Sequence, residues 1–221
     1  MALSKVDFNN INVTPAASKK LKWNSSANGF ETGDVGGDMV LLSTLTASSS
    51  ATLDFTSGID STYKEYIFKY IDIHPASNAT FGFQVDTGTN TSYTQAIVST
   101  TFRAYHNEDD NDTSLGYSSG DDQPQSGETA SSLAPQDLAL ISTSNDDSAS
   151  GYLHLFDPSN TTFMKHFLAT SNGVKALGGS QYSYNQGSAG YINTTTAITR
   201  VRFQCNTGNI DAGTIKMYGV T

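Results

Sequence analysis

Short runs of β-branched and aromatic residues recur along most of the chain, and the densest of them is Tyr66–Ile73. Such residues favour the pleated surface of a β-strand, in which alternate side chains point to opposite faces. One face of this run would carry aromatic rings, and the other would carry isoleucines, including Ile71 and Ile73, interrupted by Lys69. Because apolar side chains occupy both faces, the pattern predicts a central strand that is covered on both sides, with Ile71 buried.

Other runs have the period of two and the close spacing that are typical of an all-β protein. Phe81–Val85, for example, alternates apolar and polar residues, which predicts a strand with one solvent-facing side. No long window has the period of an α-helix. We therefore predict an all-β fold, a β-sandwich of the jelly-roll type. The predicted strands are Met39–Leu45, Ala51–Phe55, Tyr66–Ile73, Phe81–Val85, Ala96–His106, Leu138–Ser142, Tyr152–Phe156, Phe163–Leu168, Ile198–Cys205 and Thr214–Val220.

Two segments of the predicted sandwich, residues 107–135 and 171–190, lack the alternation that predicts strands. The first is rich in Asp, Ser and Gly, and the second contains several tyrosines. We therefore expect two long loops in a sandwich domain that spans residues 38–221. Loops of this length within a compact domain are usually functional or flexible, so both are candidate contact surfaces.

Residues 1–37 differ from the rest because their apolar residues are sparse and irregularly spaced. Too little apolar surface is present for this segment to fold alone, so we predict an extended N-terminal anchoring arm. Within it, Leu21–Glu31 predicts a small hairpin with Asn28–Gly29 as the turn signal. Trp23 and Phe30 would pair across this hairpin. The residues expected to anchor the arm are Val6, Phe8, Ile11, Val13, Lys19, Lys20, Lys22 and Trp23.

The charge is low in density, acidic and unevenly distributed. Charged residues make up 15% of the chain, and the net charge of −9 argues against nucleic acid as a partner. Four lysines against one aspartate give residues 1–30 a charge of +3, so the remainder carries −12. Either the two ends of the chain face different partners, or these lysines are simply solvated. No apolar span is long enough for a transmembrane helix, and the N-terminus lacks the apolar core of a signal peptide.

The acidic first loop is the sequence feature most similar to a metal site. Asp110, Asp112 and Ser114 begin like a calcium-binding loop. However, Leu115 stands where such a loop requires glycine, and Asp121 stands where it usually has glutamate. We therefore expect a solvated acidic loop without a metal, and calcium binding is the alternative.

Cys205 is the only cysteine, so an intrachain disulfide is impossible, and its apolar neighbours predict a small core residue. His154 and His166 flank a turn sequence at residues 157–162. If that turn closes a tight hairpin, the two imidazoles lie on opposite faces and do not share a metal.

None of the sequence motifs of common catalytic sites occurs. The chain has no Gly-x-Ser-x-Gly elbow, no His-Glu-x-x-His pair and no phosphate-binding glycine loop. We therefore expect no catalytic residue, no cofactor and no enzymatic activity. A pair of carboxylates beside a groove, as in glycosidases, is the alternative.

The second loop carries the candidate partner contact. Tyrosine rings beside asparagine and glutamine can stack on and hydrogen-bond a sugar ring or another protein. We expect these tyrosines to be exposed and to meet a sister subunit or a host glycan. The candidate residues are Tyr182, Tyr184, Asn185, Gln186 and Tyr191.

Three parts of the chain resemble tailed-bacteriophage proteins. Leu21–Glu31 resembles a segment of fibre and other appendage proteins, in which it precedes a β-rich distal part. Tyr152–Ser159 with Lys165–Phe167, and the ending Ala212–Gly219, are similar to β-rich virion proteins of marine tailed phages. The resemblance implies a virion structural protein, either a tail fibre or appendage or a capsid decoration protein, and three-fold association. It transfers no functional residue.

Together, these features predict a non-enzymatic component of a tailed-phage virion. We expect an oligomeric surface protein, with a trimer favoured, that the N-terminal arm anchors to other virion proteins and that contacts host glycans as a further candidate role. The alternative is a free carbohydrate-binding module or a glycan-active enzyme on the same sandwich, since a fold does not fix a function.

Overall fold

The computed structural model describes residues 19–34, 39–123 and 134–220. The chain divides into two compact units, Met1–Met39 and Val40–Thr221. The described residues form β-strands, turns and irregular segments, and no helix occurs among them. The predicted all-β class is therefore confirmed.

The strands are numbered in chain order. They are β1 (Lys19–Trp23), β2 (Phe30–Asp34), β3 (Met39–Thr46), β4 (Leu53–Phe55), β5 (Glu65–Pro75), β6 (Ala79–Thr87), β7 (Ile97–Asn107), β8 (Thr113–Tyr117), β9 (Gln136–Ile141), β10 (Ala149–Phe156), β11 (Lys165–Leu177), β12 (Ser180–Ile192), β13 (Ile198–Cys205) and β14 (Ile210–Val220).

The first unit contains the predicted small hairpin, formed by β1 and β2. Trp23 pairs with Phe30, and their rings stack at 4.5 Å between centroids, so this part of the prediction is confirmed. The reversal is wider than a two-residue turn, because the Asn24 amide donates to the Gly29 carbonyl at 2.9 Å. The predicted arm residues before Lys19, which are Val6, Phe8, Ile11 and Val13, lie outside the described residues.

The second unit consists of two sheets. The large sheet has eight strands in the order β3-β14-β5-β10-β11-β12-β7-β8, and the small sheet has four in the order β4-β13-β6-β9. The pairs from β14 to β8 in the large sheet and all pairs in the small sheet are antiparallel. Consecutive strands mostly alternate between the sheets, whereas β7–β8 and β11–β12 add two hairpins to the large sheet only.

Aromatic side chains from both sheets meet in one core. Phe68 of β5 lies 5.5 Å from Phe203 of β13, and Tyr70 of β5 lies 5.3 Å from Phe81 of β6, measured between ring centroids. Cys205 is buried in the same core, as predicted, and burial raises the pKa of its thiol to about 11. At neutral pH this thiol is therefore protonated and behaves as a small apolar side chain.

The predicted central strand corresponds to β5, which pairs with β14 on one side and β10 on the other. The prediction that Ile71 is buried is wrong, because its side chain is 40% exposed, whereas Ile73 is fully buried. Between them, Asp72 adopts a left-handed conformation with a φ of 52°. This irregularity interrupts the period of two, so Ile73 turns towards the core instead of sharing a face with Ile71.

Two further predictions fail because the hairpins were assigned incorrectly. Residues 171–190 are not a loop, because β11 and β12 pair along their full length and reverse at Gly178–Gly179. Part of 107–135 is also regular, since Thr113–Tyr117 forms β8, whereas residues 124–133 lie outside the described residues. In addition, β10 and β11 pair with His154 opposite Leu168. His154 and His166 therefore point to the same face, not to opposite faces, because Leu168 and His166 are two residues apart in β11.

The burial of the two isoleucines predicts a clear difference in stability. Replacing Ile73 with Ala should lower the free energy of unfolding by about 2–5 kcal/mol, because it leaves a cavity in the core. Replacing Ile71 with Ala should lower it by less than about 1 kcal/mol, because that side chain is partly solvated. Urea unfolding of both variants measures the difference, and equal losses would contradict the bulge at Asp72.

Candidate functional site

The large sheet has an exposed apolar surface on its side away from the small sheet. We call this surface the outward face, and it comprises the side chains of β7, β8, β10, β11 and β12 that point away from the core. Leu115 of β8 is 79% exposed, Phe102 of β7 is 56% exposed, and Leu168 of β11 is 51% exposed. Side chains of this size are usually covered when several lie together, so the face is a candidate contact surface.

The strand register places large and small side chains of the outward face in rows. One row runs from Tyr117 through Phe102, Gly187 and Thr170 to Tyr152, with one residue from each of the five strands. Phe102 and Tyr117 pack edge to face at 5.9 Å between ring centroids at one end of the row. Because the middle positions are small, the row forms a shallow trough with aromatic side chains on both sides.

The next row continues the trough along the strands. It consists of Thr100, Ala189, Leu168 and His154 on β7, β12, β11 and β10. Together, the two rows line an open concavity of about 470 Å³. A neighbouring concavity of about 460 Å³ extends it towards Tyr191 and the other ends of these strands.

The outward face is uncharged apart from histidines. From Val98 to His106 on β7, and at the facing positions of the other four strands, no Asp, Glu, Lys or Arg points outward. Charged side chains lie at both edges of the face. On β5, Glu65 contacts His154 and Lys69 lies opposite Tyr152. At the other edge, Asp110 lies 2.9 Å from the His106 imidazole and Asp122 accepts a hydrogen bond from the Tyr117 hydroxyl. A neutral surface of this extent stands out on a chain with a net charge of −9.

The opposite side of β7 and β12 rests on a hydrogen-bonded polar network. Arg103 forms an ion pair with Asp121 at 2.9 Å, and the Ser118 hydroxyl donates to the same carboxylate at 2.5 Å. The Gln136 amide donates to the backbone carbonyls of Asp121 and Asp137, both at 3.0 Å. These contacts connect β7 to the turn that follows β8 and to β9, so they fix the strands that carry the outward face.

The candidate tyrosines of the second predicted loop are not exposed. Tyr182 and Tyr184 lie in β12 with only 8% and 7% of their surfaces exposed. They pack with Tyr105, and the Tyr182 hydroxyl donates to Asp112 at 2.9 Å. The Arg103 guanidinium lies 5.5 Å from the centre of the Tyr184 ring. The expectation of exposed rings is therefore wrong for both residues.

The other candidate residues of β12 separate by face. Gln186 is buried, and its amide donates to the Asp137 carbonyl at 3.1 Å. Asn185 is exposed and Tyr191 is half-buried, and both belong to the outward face. In the first unit, the side chains of Lys19, Lys20, Lys22 and Trp23 are exposed on β1.

Most of the acidic residues of the first predicted loop face solvent, as expected. Glu108, Asp109, Asp110 and Asp112 are exposed, whereas Asp121 is buried in the network with Arg103. Within residues 19–34, 39–123 and 134–220, no group of three or more His, Cys, Asp or Glu residues has the arrangement of a metal site. The same part of the chain contains no helix that is long and apolar enough to cross a membrane.

Sequence reasoning missed the residues that define the outward face. They are Phe102, Leu115, Tyr117, Tyr152 and Leu168, which lie on four strands and come together only through the register. One signal was present, since the alternation of β7 separates Val98, Thr100, Phe102 and Ala104 from their inward neighbours. The sequences of the neighbouring strands gave no indication of which of their residues would lie beside those of β7.

Comparisons with protein families, with curated proteins and with solved structures find no match for this chain.

The polar network predicts a pH-dependent stability. Burial, reinforced by the negative charge of Asp121, raises the pKa of Asp137 to about 7, well above the ordinary value of 3.8. Between these two pH values the folded chain binds a proton that the unfolded chain releases, so folding is favoured by acid. We expect this group to lower the free energy of unfolding as pH rises from about 4 to 7, by at most about 1.4 kcal/mol per pH unit.

Replacing Asp137 with Asn should remove this contribution and stabilise the protein at pH 8, because no partly buried carboxylate then has to ionise. Urea unfolding of both proteins at several pH values between 4 and 8 measures the change. An unchanged difference in stability between the two proteins across this range would contradict the assignment.

Proposed function

We propose that this protein is a non-enzymatic structural component of a tailed-phage virion. It is an oligomeric surface protein, a tail fibre or appendage or a capsid decoration protein, and its N-terminal arm anchors it to other virion proteins. The observation that carries the proposal is the order of the strands in the two sheets.

This order supports the jelly roll of the proposal once the two added hairpins are set aside. The large sheet then keeps β3-β14-β5-β10, and the small sheet keeps β4-β13-β6-β9. Except between β6 and β9, each connection within this set passes from one sheet to the other. Eight strands in two sheets with this alternation make two Greek keys, an architecture that is frequent in viral capsid proteins. The aromatic contacts between the sheets support its description as a β-sandwich.

The sequence supplies the rest of the proposal. Leu21–Glu31 resembles a segment of phage appendage proteins, and this segment contains most of the β1–β2 hairpin. Residues 1–30 carry a net charge of +3 and the remainder of the chain carries −12, which suits two different contacts, one with the particle and one with solvent or the host. The resemblance to fibre proteins favours a trimer.

A carbohydrate-binding module is the second candidate, and the trough of the outward face favours it. Phe102 and Tyr152 stand on opposite sides of the small residues Gly187 and Thr170, so their rings could hold a sugar between them. Jelly rolls also occur in lectins, so the fold alone does not separate the two candidates. Binding of a neutral oligosaccharide by a monomeric protein that is absent from virions would favour this module.

The proposed function predicts that the protein is part of the purified virion. Mass spectrometry of particles purified by density gradient should detect its peptides in an amount comparable with that of other structural proteins. Antibody labelling in electron micrographs should place it on the tail or on the head. Its absence from purified particles would contradict the proposal.

If residues 1–37 act as an anchoring arm, their deletion should prevent assembly into particles without preventing folding. Deleting residues 1–37 should leave a protein that still unfolds cooperatively, because Val40–Thr221 is a compact unit by itself. The truncated protein should not enter particles when it replaces the full chain during infection. Loss of cooperative unfolding would show that the arm contributes to the core.

A further inference from the structure

We propose that the outward face of β7, β8, β10, β11 and β12 binds a second copy of this chain. This inference rests on the proposed function, because it identifies the surface through which the structural protein associates. Three properties of the face support it, namely its lack of charge, its apolar area and its rigid backing.

The first property is electrostatic. Each copy carries a net charge of −9, so two copies repel each other over most of their surfaces. The outward face bears no carboxylate and no Lys or Arg from Val98 to His106 and at the facing positions of the neighbouring strands. Copies that meet through this face keep their charged surfaces apart and bury no unpaired charge.

The second property is the size and chemistry of the face. Five strands at a spacing of about 4.8 Å span about 19 Å, and eight residue steps from Val98 to His106 cover about 26 Å. The flat footprint is therefore about 500 Å² per copy, or about 1,000 Å² for two copies, which reaches the lower bound for a specific interface. Its largest exposed side chains include Leu115, Phe102 and Leu168, whose burial supplies the driving force.

The third property is that the face is held in place before binding. The inner side of β7 is fixed by the ion pair between Arg103 and Asp121, and β12 is attached to β9 through the contact of Gln186 with the Asp137 carbonyl. A surface that is already ordered loses little conformational freedom on association.

The choice of a protein partner over a glycan follows from the aliphatic residues. Leu115 and Leu168 have no ring that can stack on a sugar, and burying them requires another apolar surface. Thr100 and Ala189, which lie beside Leu168, offer little hydrogen bonding for sugar hydroxyls. Matching apolar surface on a second copy satisfies these side chains better.

Sedimentation analysis of the full-length protein, compared with two leucine variants, tests the proposal. The wild-type protein should form an oligomer, whereas Leu168→Glu should weaken its association by about 30-fold or more, towards the monomer mass of 23.5 kDa. Leu177→Glu is the matched control, because Leu177 lies in the same strand, is 52% exposed and stands at the hairpin tip. This control should associate like the wild type.

A third variant separates the effect of the face from that of net charge. Thr100→Arg places a cation at an exposed position of the face and changes the net charge from −9 to −8. If repulsion between whole molecules controlled association, this change would strengthen it. We expect it to weaken association, because the cation would be buried without a partner. Circular dichroism and thermal melting verify that each variant is folded, and Thr100→Arg keeps the test decisive if Leu168→Glu fails to fold.

Dissociation by Leu168→Glu or Thr100→Arg, with Leu177→Glu unaffected, supports the proposal. A monomeric wild type, an oligomer that no variant changes, equal dissociation by all three variants, or a monomer whose binding to a neutral oligosaccharide is lost in Leu168→Glu overturns it. An oligomer that no variant changes, found in purified virions, would overturn this interface and leave the proposed function standing.

Discussion

The contact between aromatic side chains of the two sheets is the interaction on which the rest of the second unit depends. Phe203 of the small sheet lies within 6.5 Å of the rings of Phe68 and Tyr70 of the large sheet, and Phe83 lies 5.1 Å from Phe167, measured between centroids. The small sheet has only four strands, so this apolar layer cannot cover all eight strands of the large one. Beyond its reach, the inner sides of β7 and β12 are polar, and Arg103 pairs with Asp121 there while Thr101 pairs with Ser188. The amide oxygens of Gln136 and Gln186 have no hydrogen-bond partner among the described residues. The outward face therefore extends past the apolar core without becoming loose.

The same arrangement explains why the outward face is suited to contact with a partner. A strand whose inner side chains are hydrogen-bonded and whose outer side chains are small or aromatic gives a regular surface with a shallow trough. Gly187 contributes to this surface, since a side chain at that position would meet no other atom within 4 Å. The glycine therefore keeps the trough open and does not relieve any steric conflict.

The sequence predicted the strand class and the position of β5, because dense β-branched and aromatic runs mark buried strands directly. The sequence did not predict that Tyr182 and Tyr184 are buried. The inner side of β12 carries polar residues and the outer side carries small ones. A strand of this kind has no alternation of apolar and polar residues to detect. It failed for His154 and His166 because the register across residues 157–164 depends on the loop geometry. The burial of Ile71 was mispredicted for a different reason. The positive φ of Asp72 interrupts the alternation of the strand, and the sequence pattern does not reveal it.

The irregularity at Asp72 has a counterpart on the partner strand. Near one end of the pair, Ile210 of β14 lies opposite Pro75 of β5, and at the other end Val220 lies opposite Glu65. Ten residues separate the two ends on each strand, so the pairing has the same register at both ends. The extra residue that β14 contains near Ala212 therefore compensates for the extra residue that β5 contains at the bulge. Shortening either strand alone by one residue would turn the apolar side chains of one end outward. During evolution, the two strands are therefore free to change length only together, and insertions or deletions in them should occur as matched pairs.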